Sequence, residues 1–294
     1  MHRLQTYGSL SALDPWWASY TAGTSNFDLA FWGTANIASL AAVGASFTCF
    51  LMDLQPSLRK YKLQPTIVPT LAQYGKCLKM ALANQLIIHV PFMLTMLYLW
   101  GDLPVFSGSI PLPTLSSIVF EFAAFMLVED FLFYWSHRFF HWKKIYKYVH
   151  KVHHEYTAPF GLAVMYTHPV EEISSSVAAM TGPLVFGSHI VCLWVWLVFR
   201  LLEGVESHSG YDFPFGLRTL FPFLNGPVRH DYHHEKFDCN FGSMFGFWDW
   251  ICGTDAPFRS FQHEKASRGE YASFDLFDYL VSMTKRTKAV KLED

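Results

Sequence analysis

Eight of the chain's fourteen histidines fall into three spaced sets. His137 and His141 stand in "SHRFFH", His150, His153 and His154 in "HKVHH", and His230, His233 and His234 in "HDYHH". On a helix, residues three or four apart share a face, so each set presents its imidazoles together. Clustered neutral imidazoles are metal ligands. Eight exceed what one tetrahedral ion takes, and they suit two adjacent first-row metal ions that keep open positions. Two further histidines are candidate ligands, with an interfacial or hydrogen-bonding role as the alternative: His168 in "YTHPVEE" and His208 in "ESHSGYDFP". Asp130 is the candidate catalytic acid. It shares a helical face with His137 and can accept from the ring N–H of a metal-bound histidine; a hydrogen bond to another span is the alternative. Glu203 and Glu206, one turn before His208, are candidates for the same part or for a solvated helix end. His89 lies in an apolar stretch, as a cavity-lining or a packed neutral residue, and His2, His189 and His263 belong to no pattern.

The elements that position these residues are apolar. Hydrophobic residues make up 51%, aromatics 18% and charged residues 16% of the 294 positions, against about 25% charged in soluble domains. Residues 27–52, 80–100 and 115–136 are each long enough to span a bilayer, for which roughly 20 helical residues suffice. A fourth apolar region, 173–202, carries Gly182-Pro183 and Gly187, which predicts a broken element that enters and returns. The architecture expected is all-α: multi-pass membrane helices with a histidine-rich di-metal domain facing the cytosol. Residues 1–114 supply membrane helices and loops, 115–258 the catalytic domain and 259–294 a cytosolic tail.

Lysines and arginines between spans one and two (Arg59, Lys60, Lys62, Lys76, Lys79) and after span three (Arg138, Lys143, Lys144, Lys147, Lys151) place those loops in the cytosol. The loop 101–114 has no Lys or Arg and is expected in the lumen. Both H-x-x-H-H sets can share one site only if the fourth region crosses an even number of times or not at all. The N-terminus has no apolar signal-peptide core. Five scattered cysteines fit a reducing, cytosol-facing environment, and a net charge of -2 gives no case for nucleic acid.

Taken in order and spacing, the histidine sets resemble the membrane fatty acid hydroxylase superfamily over residues 115–258. "HKVHHEYTAPFG", "YTHPVEE", "LLEGVESHSGYDFP" and "HDYHH", closed by "WDWICGTD", are similar to the C-4 methylsterol monooxygenases. The resemblance implies a non-haem centre of two iron ions, with zinc as the substitute in purified protein. It implies oxidation of a sterol C-4 methyl group with O2, and electrons from NAD(P)H through cytochrome b5 and its reductase. It also implies an endoplasmic reticulum membrane setting, with membrane lipid and other sterol C-4 demethylation enzymes as partners. Three features depart from the pattern: "EKFDCNFGSMF" is closer to cholesterol 25-hydroxylases, Gly204 stands where some members have histidine, and "KAVKLED" lacks a dilysine signal. The departures leave open another sterol or lipid hydroxylase, or a sterol desaturase. From other classes the rivals are a metal-binding membrane transporter, which would line a path across the membrane with its histidines, and a catalytically silent scaffold.

Overall fold

The structure, a computed structural model, describes residues 10–274. His2, the first part of the N-terminal segment and "KAVKLED" lie outside the described residues. Among the described residues the fold is all helical, with two isolated β-bridges, Lys62 to Tyr211 and Leu224 to Phe245.

Among the described residues, two helices are long and apolar enough to cross a membrane: α1, Asn26–Asp53, and α2, Leu71–Trp100. Each carries one π-helical stretch, Leu29–Gly33 in α1 and Gln85–His89 in α2. Such bulges cluster at functional sites, and both of these flank the cavity described below. Helix α3, Leu115–Phe140, starts where the Thr114 hydroxyl accepts from the Ser117 amide. Helices α4, Pro169–Phe186, and α5, Ile190–Ser207, form the fourth apolar region. At 18 residues each, they are about 27 Å long, close to the hydrocarbon thickness of a bilayer.

The break between α4 and α5 spans residues 187–189 and begins at Gly187. Gly187 adopts φ 62°, the left-handed conformation that ends a helix at little steric cost to glycine. Pro183, expected to help break the region, sits inside α4. Gly182 has a packing role instead: a Cβ there would lie 2.9 Å from the Phe125 ring and 3.0 Å from its Cα, so glycine lets α4 press against α3. Trp196 completes this layer, fully buried, with its indole N–H donating to the Ala179 carbonyl. Across α5, Trp194 packs on Gly33 of α1 and donates to the Thr34 hydroxyl.

Contacts sort the bundle into two ends. Glu171, at the start of α4, lies 2.9 Å from His150, and His208, at the end of α5, lies 3.1 Å from His153. The turn joining the two helices is remote from both, for His189 donates to the Ser109 carbonyl in the 101–114 loop. The pair is therefore a hairpin that leaves the histidine end and returns to it, and both H-x-x-H-H sets lie at that end. Buried Asp53, at the close of α1, ties the same end together. It accepts from Lys62 at 2.6 Å, Tyr74 at 2.6 Å and Tyr211 at 2.8 Å. Around the middle, Leu40, Val43, Phe47, Leu82, Leu86, Ile87, Val119 and Leu127 are exposed. An outward apolar surface of this extent fits lipid, in which helices satisfy their own backbone.

Candidate metal centre

Helix α3 delivers His137 near its C-terminus, with His141 one turn on as its cap. A short irregular segment presents His150, His153 and His154. His208 caps α5, and helix α6, Gly226–Lys236, carries His230, His233 and His234. These nine side chains converge in two groups able to hold a metal ion each. One is His137, His141, His150, His154 and His233; the other is His153, His208, His230 and His234.

The direction of each ring follows from what its outer nitrogen meets. Nδ1–H of His137 donates to the Phe241 carbonyl (2.8 Å), of His208 to Gly204 (2.9 Å), of His233 to Cys239 (2.7 Å), of His234 to Tyr156 (3.0 Å) and of His153 to Tyr166 (3.4 Å). His150 turns Nδ1 toward the Glu171 carboxylate, 2.9 Å away. With the proton held on Nδ1, Nε2 is a bare lone pair. The Nε2 atoms nevertheless meet at 3.0 Å (His137 and His150) and 3.1 Å (His153 and His208). No proton lies between either pair, so neither contact is a hydrogen bond. Four other Nε2 pairs, from His154 to His150 through His234 to His230, lie 2.9–3.1 Å apart. Lone pairs converging this closely need a cation among them. The buried Nε2 of His141 has no partner, as expected of a ligand atom without its ion.

Within each group the neighbouring Nε2 atoms lie 2.9–3.1 Å apart, close enough for one ion to be shared by the whole group. Burial, above all, keeps the rings neutral. It lowers His153 to about 4 and His233 to about 3, and with neighbouring imidazoles it holds His150, His154, His230 and His234 well below the ordinary value.

Two expected site residues take other places. His168 stands outside both groups: its Nδ1 accepts from the Val170 amide and caps α4, a position fixed by the following Pro169 at the first helical turn. Asp130 does not meet His137, whose outer nitrogen is already given to Phe241. Its Oδ1 accepts from the Met244 and Phe245 amides, 3.0 Å each. Asp130 thus holds the loop that also carries the Phe241 carbonyl, the acceptor of His137. Asp249 grips the same loop, accepting from the Phe241 amide at 2.8 Å and the Gly242 amide at 2.7 Å. Sequence reasoning missed Asp249, although it lies in the quoted "WDWICGTD", and it missed Glu171. Glu203 accepts from Arg200 and Ser207, and Glu206 from the Leu217 amide, so neither supports His208.

A cavity of about 330 Å³ opens from the centre into the bundle and is lined by His137, His153, His208 and His230 at one end. Ala35, Ala38 and Ala42, sharing a face of α1, leave room for it, while Met93, Ala179, Leu197 and Leu201 continue it between α2, α4 and α5. Such a site can take an apolar molecule from between the helices and hold it against a metal pair.

The fatty acid hydroxylase family profile matches residues 122–254. A C-4 methylsterol oxidase of Schizosaccharomyces pombe is 33% identical over 270 residues, covering 88% of each chain. Methylsterol monooxygenase 2-2 of Arabidopsis thaliana is 37% identical over 257 residues, 85% of this chain and 94% of its own. A rice protein named very-long-chain aldehyde decarbonylase GL1-11 is 35% identical over 258 residues, 85% of this chain and 94% of its own. No solved structure matches.

Two predictions follow from the ring geometry. Asp130→Ala frees the Met244 and Phe245 amides and loosens the Phe241 carbonyl, so metal affinity should fall about 10–100-fold, whereas Asp130→Asn keeps an acceptor oxygen and should stay nearer wild type. Metal retained against a graded chelator measures this; equal retention by Asp130→Ala would exclude the role. For metal-free protein, the unfolded chain takes up protons below about pH 6.5 that the folded chain refuses. Stability should therefore fall as pH drops from there toward about 4 for His153 and about 3 for His233, by roughly 1.4 kcal/mol per pH unit per histidine. A melting temperature independent of pH between about 7 and 4 would contradict it.

Proposed function

The chain belongs to the fatty acid hydroxylase family, and from that premise we propose that it is a membrane monooxygenase oxidising the C-4 methyl group of sterol precursors. The observation that carries the reading is the placing of two convergent histidine groups at the polar end of an apolar cavity. The relatives from S. pombe and A. thaliana, by their names, act on methylsterols. In this proposal the nine histidines of the two groups hold two iron ions, which when bound supply the O2 chemistry that an unactivated C–H bond requires; neutral nitrogen donors suit iron.

The protein's own part is orientation and exclusion. The backbone carbonyls of residues 156, 166, 204, 239 and 241 fix the ring planes of five ligands before metal arrives. The cavity admits the sterol from lipid and keeps bulk water from the reacting methyl. Hydroxylation consumes O2, two electrons and two protons, and releases water with the alcohol. Electrons come from NAD(P)H through cytochrome b5 and its reductase, at the exposed face of Lys143, Lys144, Lys147 and Lys151. That face lies on the cytosolic side of the endoplasmic reticulum membrane. Residues 115–258 form the catalytic domain of this proposal, with α1 and α2 completing its cavity.

The test is sterol profiling of a yeast strain lacking its own methyl oxidase, with and without this chain. Expression should consume the C-4 methylsterols that accumulate, and His153→Ala should abolish that effect. Turnover of a long-chain aldehyde with none of any methylsterol would instead move the chain to the reaction named for its rice relative.

A further inference from the structure

The cavity wall contains a chain of polar side chains that the metal centre does not use. His89, in the π-helical stretch of α2, places Nε2 2.8 Å from Oε1 of Glu172 on α4. Its Nδ1 lies 3.1 Å from the Gln85 amide oxygen. The Thr167 hydroxyl donates to the other oxygen of Glu172, and Asn84 donates to the Thr167 carbonyl at 3.1 Å. Ionisable groups set among apolar helices are costly and are kept where they act. This one adjoins the centre: the preceding Glu171 faces His150, and Tyr166, next to Thr167, supplies the carbonyl that orients His153.

A sterol carries its hydroxyl on the carbon next to C-4, so whatever presents C-4 to the metals also places that hydroxyl at the metal end of the cavity. Most polar groups there are engaged or indiscriminate. Arg200 spends its donors on Glu129, Glu203 and Ser243, and both Glu203 oxygens are taken by Arg200 and Ser207. Serine hydroxyls at 175 and 176 also line the cavity, but a hydroxyl both donates and accepts and would serve an alcohol or a ketone alike. Glu172 differs. Both its donors come from the protein, each oxygen keeps a lone pair, and a carboxylate can only accept.

We infer that Glu172, held by His89 and Thr167, accepts the hydrogen bond from the substrate hydroxyl and makes the cavity selective for the alcohol over the matching ketone. This rests on the methylsterol reading above. It makes Glu172 a specificity-determining residue.

Competition binding against a radiolabelled C-4 dimethylsterol, with the full-length protein in detergent, tests it without turnover. Wild type should bind the alcohol about tenfold or more tightly than its ketone, because the ketone leaves the carboxylate facing an acceptor. Glu172→Gln, whose amide donates to a ketone, should bring the ratio close to one. Equal binding of the two ligands by wild type, or an undiminished preference in Glu172→Gln, would overturn the inference and leave the methylsterol reading standing. Wild type that binds neither ligand would overturn that reading, and this inference with it. Should Glu172→Gln fail to fold, Glu172→Asp decides: its withdrawn carboxylate should weaken the alcohol several-fold, and wild-type affinity would count against Glu172.

Discussion

The structure depends on where the imidazole protons are. Five rings give Nδ1–H to a backbone carbonyl and a sixth faces a carboxylate, which leaves their Nε2 lone pairs directed inward. In a buried space those lone pairs repel, and burial also denies them protons. A cation bound among them satisfies the lone pairs, and its binding is thereby coupled to folding. Metal affinity and fold stability are two readings of the same geometry.

Much of the remaining architecture keeps the carbonyls in place. The 239–245 segment is irregular backbone, which on its own would be mobile. Here it supplies the carbonyls for His233 and His137 while being fixed by two buried carboxylates, Asp130 and Asp249, and by the Asn225 amide bonded to the Met244 carbonyl. Asp53 serves the opposite side by joining α1 and α2 to the segment after His208. The N-terminal helices are thus part of the site, since they wall its cavity as well as brace its histidines.

Helical spacing accounts for the shared direction of His230, His233 and His234 on α6, but His150, His153 and His154 stand on a segment with little regular helix, and His153 joins the group that His150 and His154 do not. The hairpin was legible in the sequence, though its break begins at Gly187 and not at Pro183, because a proline removes one helical bond whereas a left-handed residue reverses the chain. What sequence could not supply was the partner of each polar group. His168 and His208 look alike as isolated histidines, yet one caps a helix and the other joins a histidine group able to hold a metal ion. Asp130 shares a helical face with His137, but its bond goes to a loop more than a hundred residues away, which no local periodicity reports. Glu171 and Glu172 read as ordinary acids in a first helical turn, where the helix dipole alone would account for them.

The most direct measurement is an anomalous-scattering map of the iron-loaded protein at the iron absorption edge. Two peaks per chain are predicted, one enclosed by His137, His141, His150, His154 and His233, the other by His153, His208, His230 and His234. A single peak shared by both groups, or peaks away from them, would contradict the account.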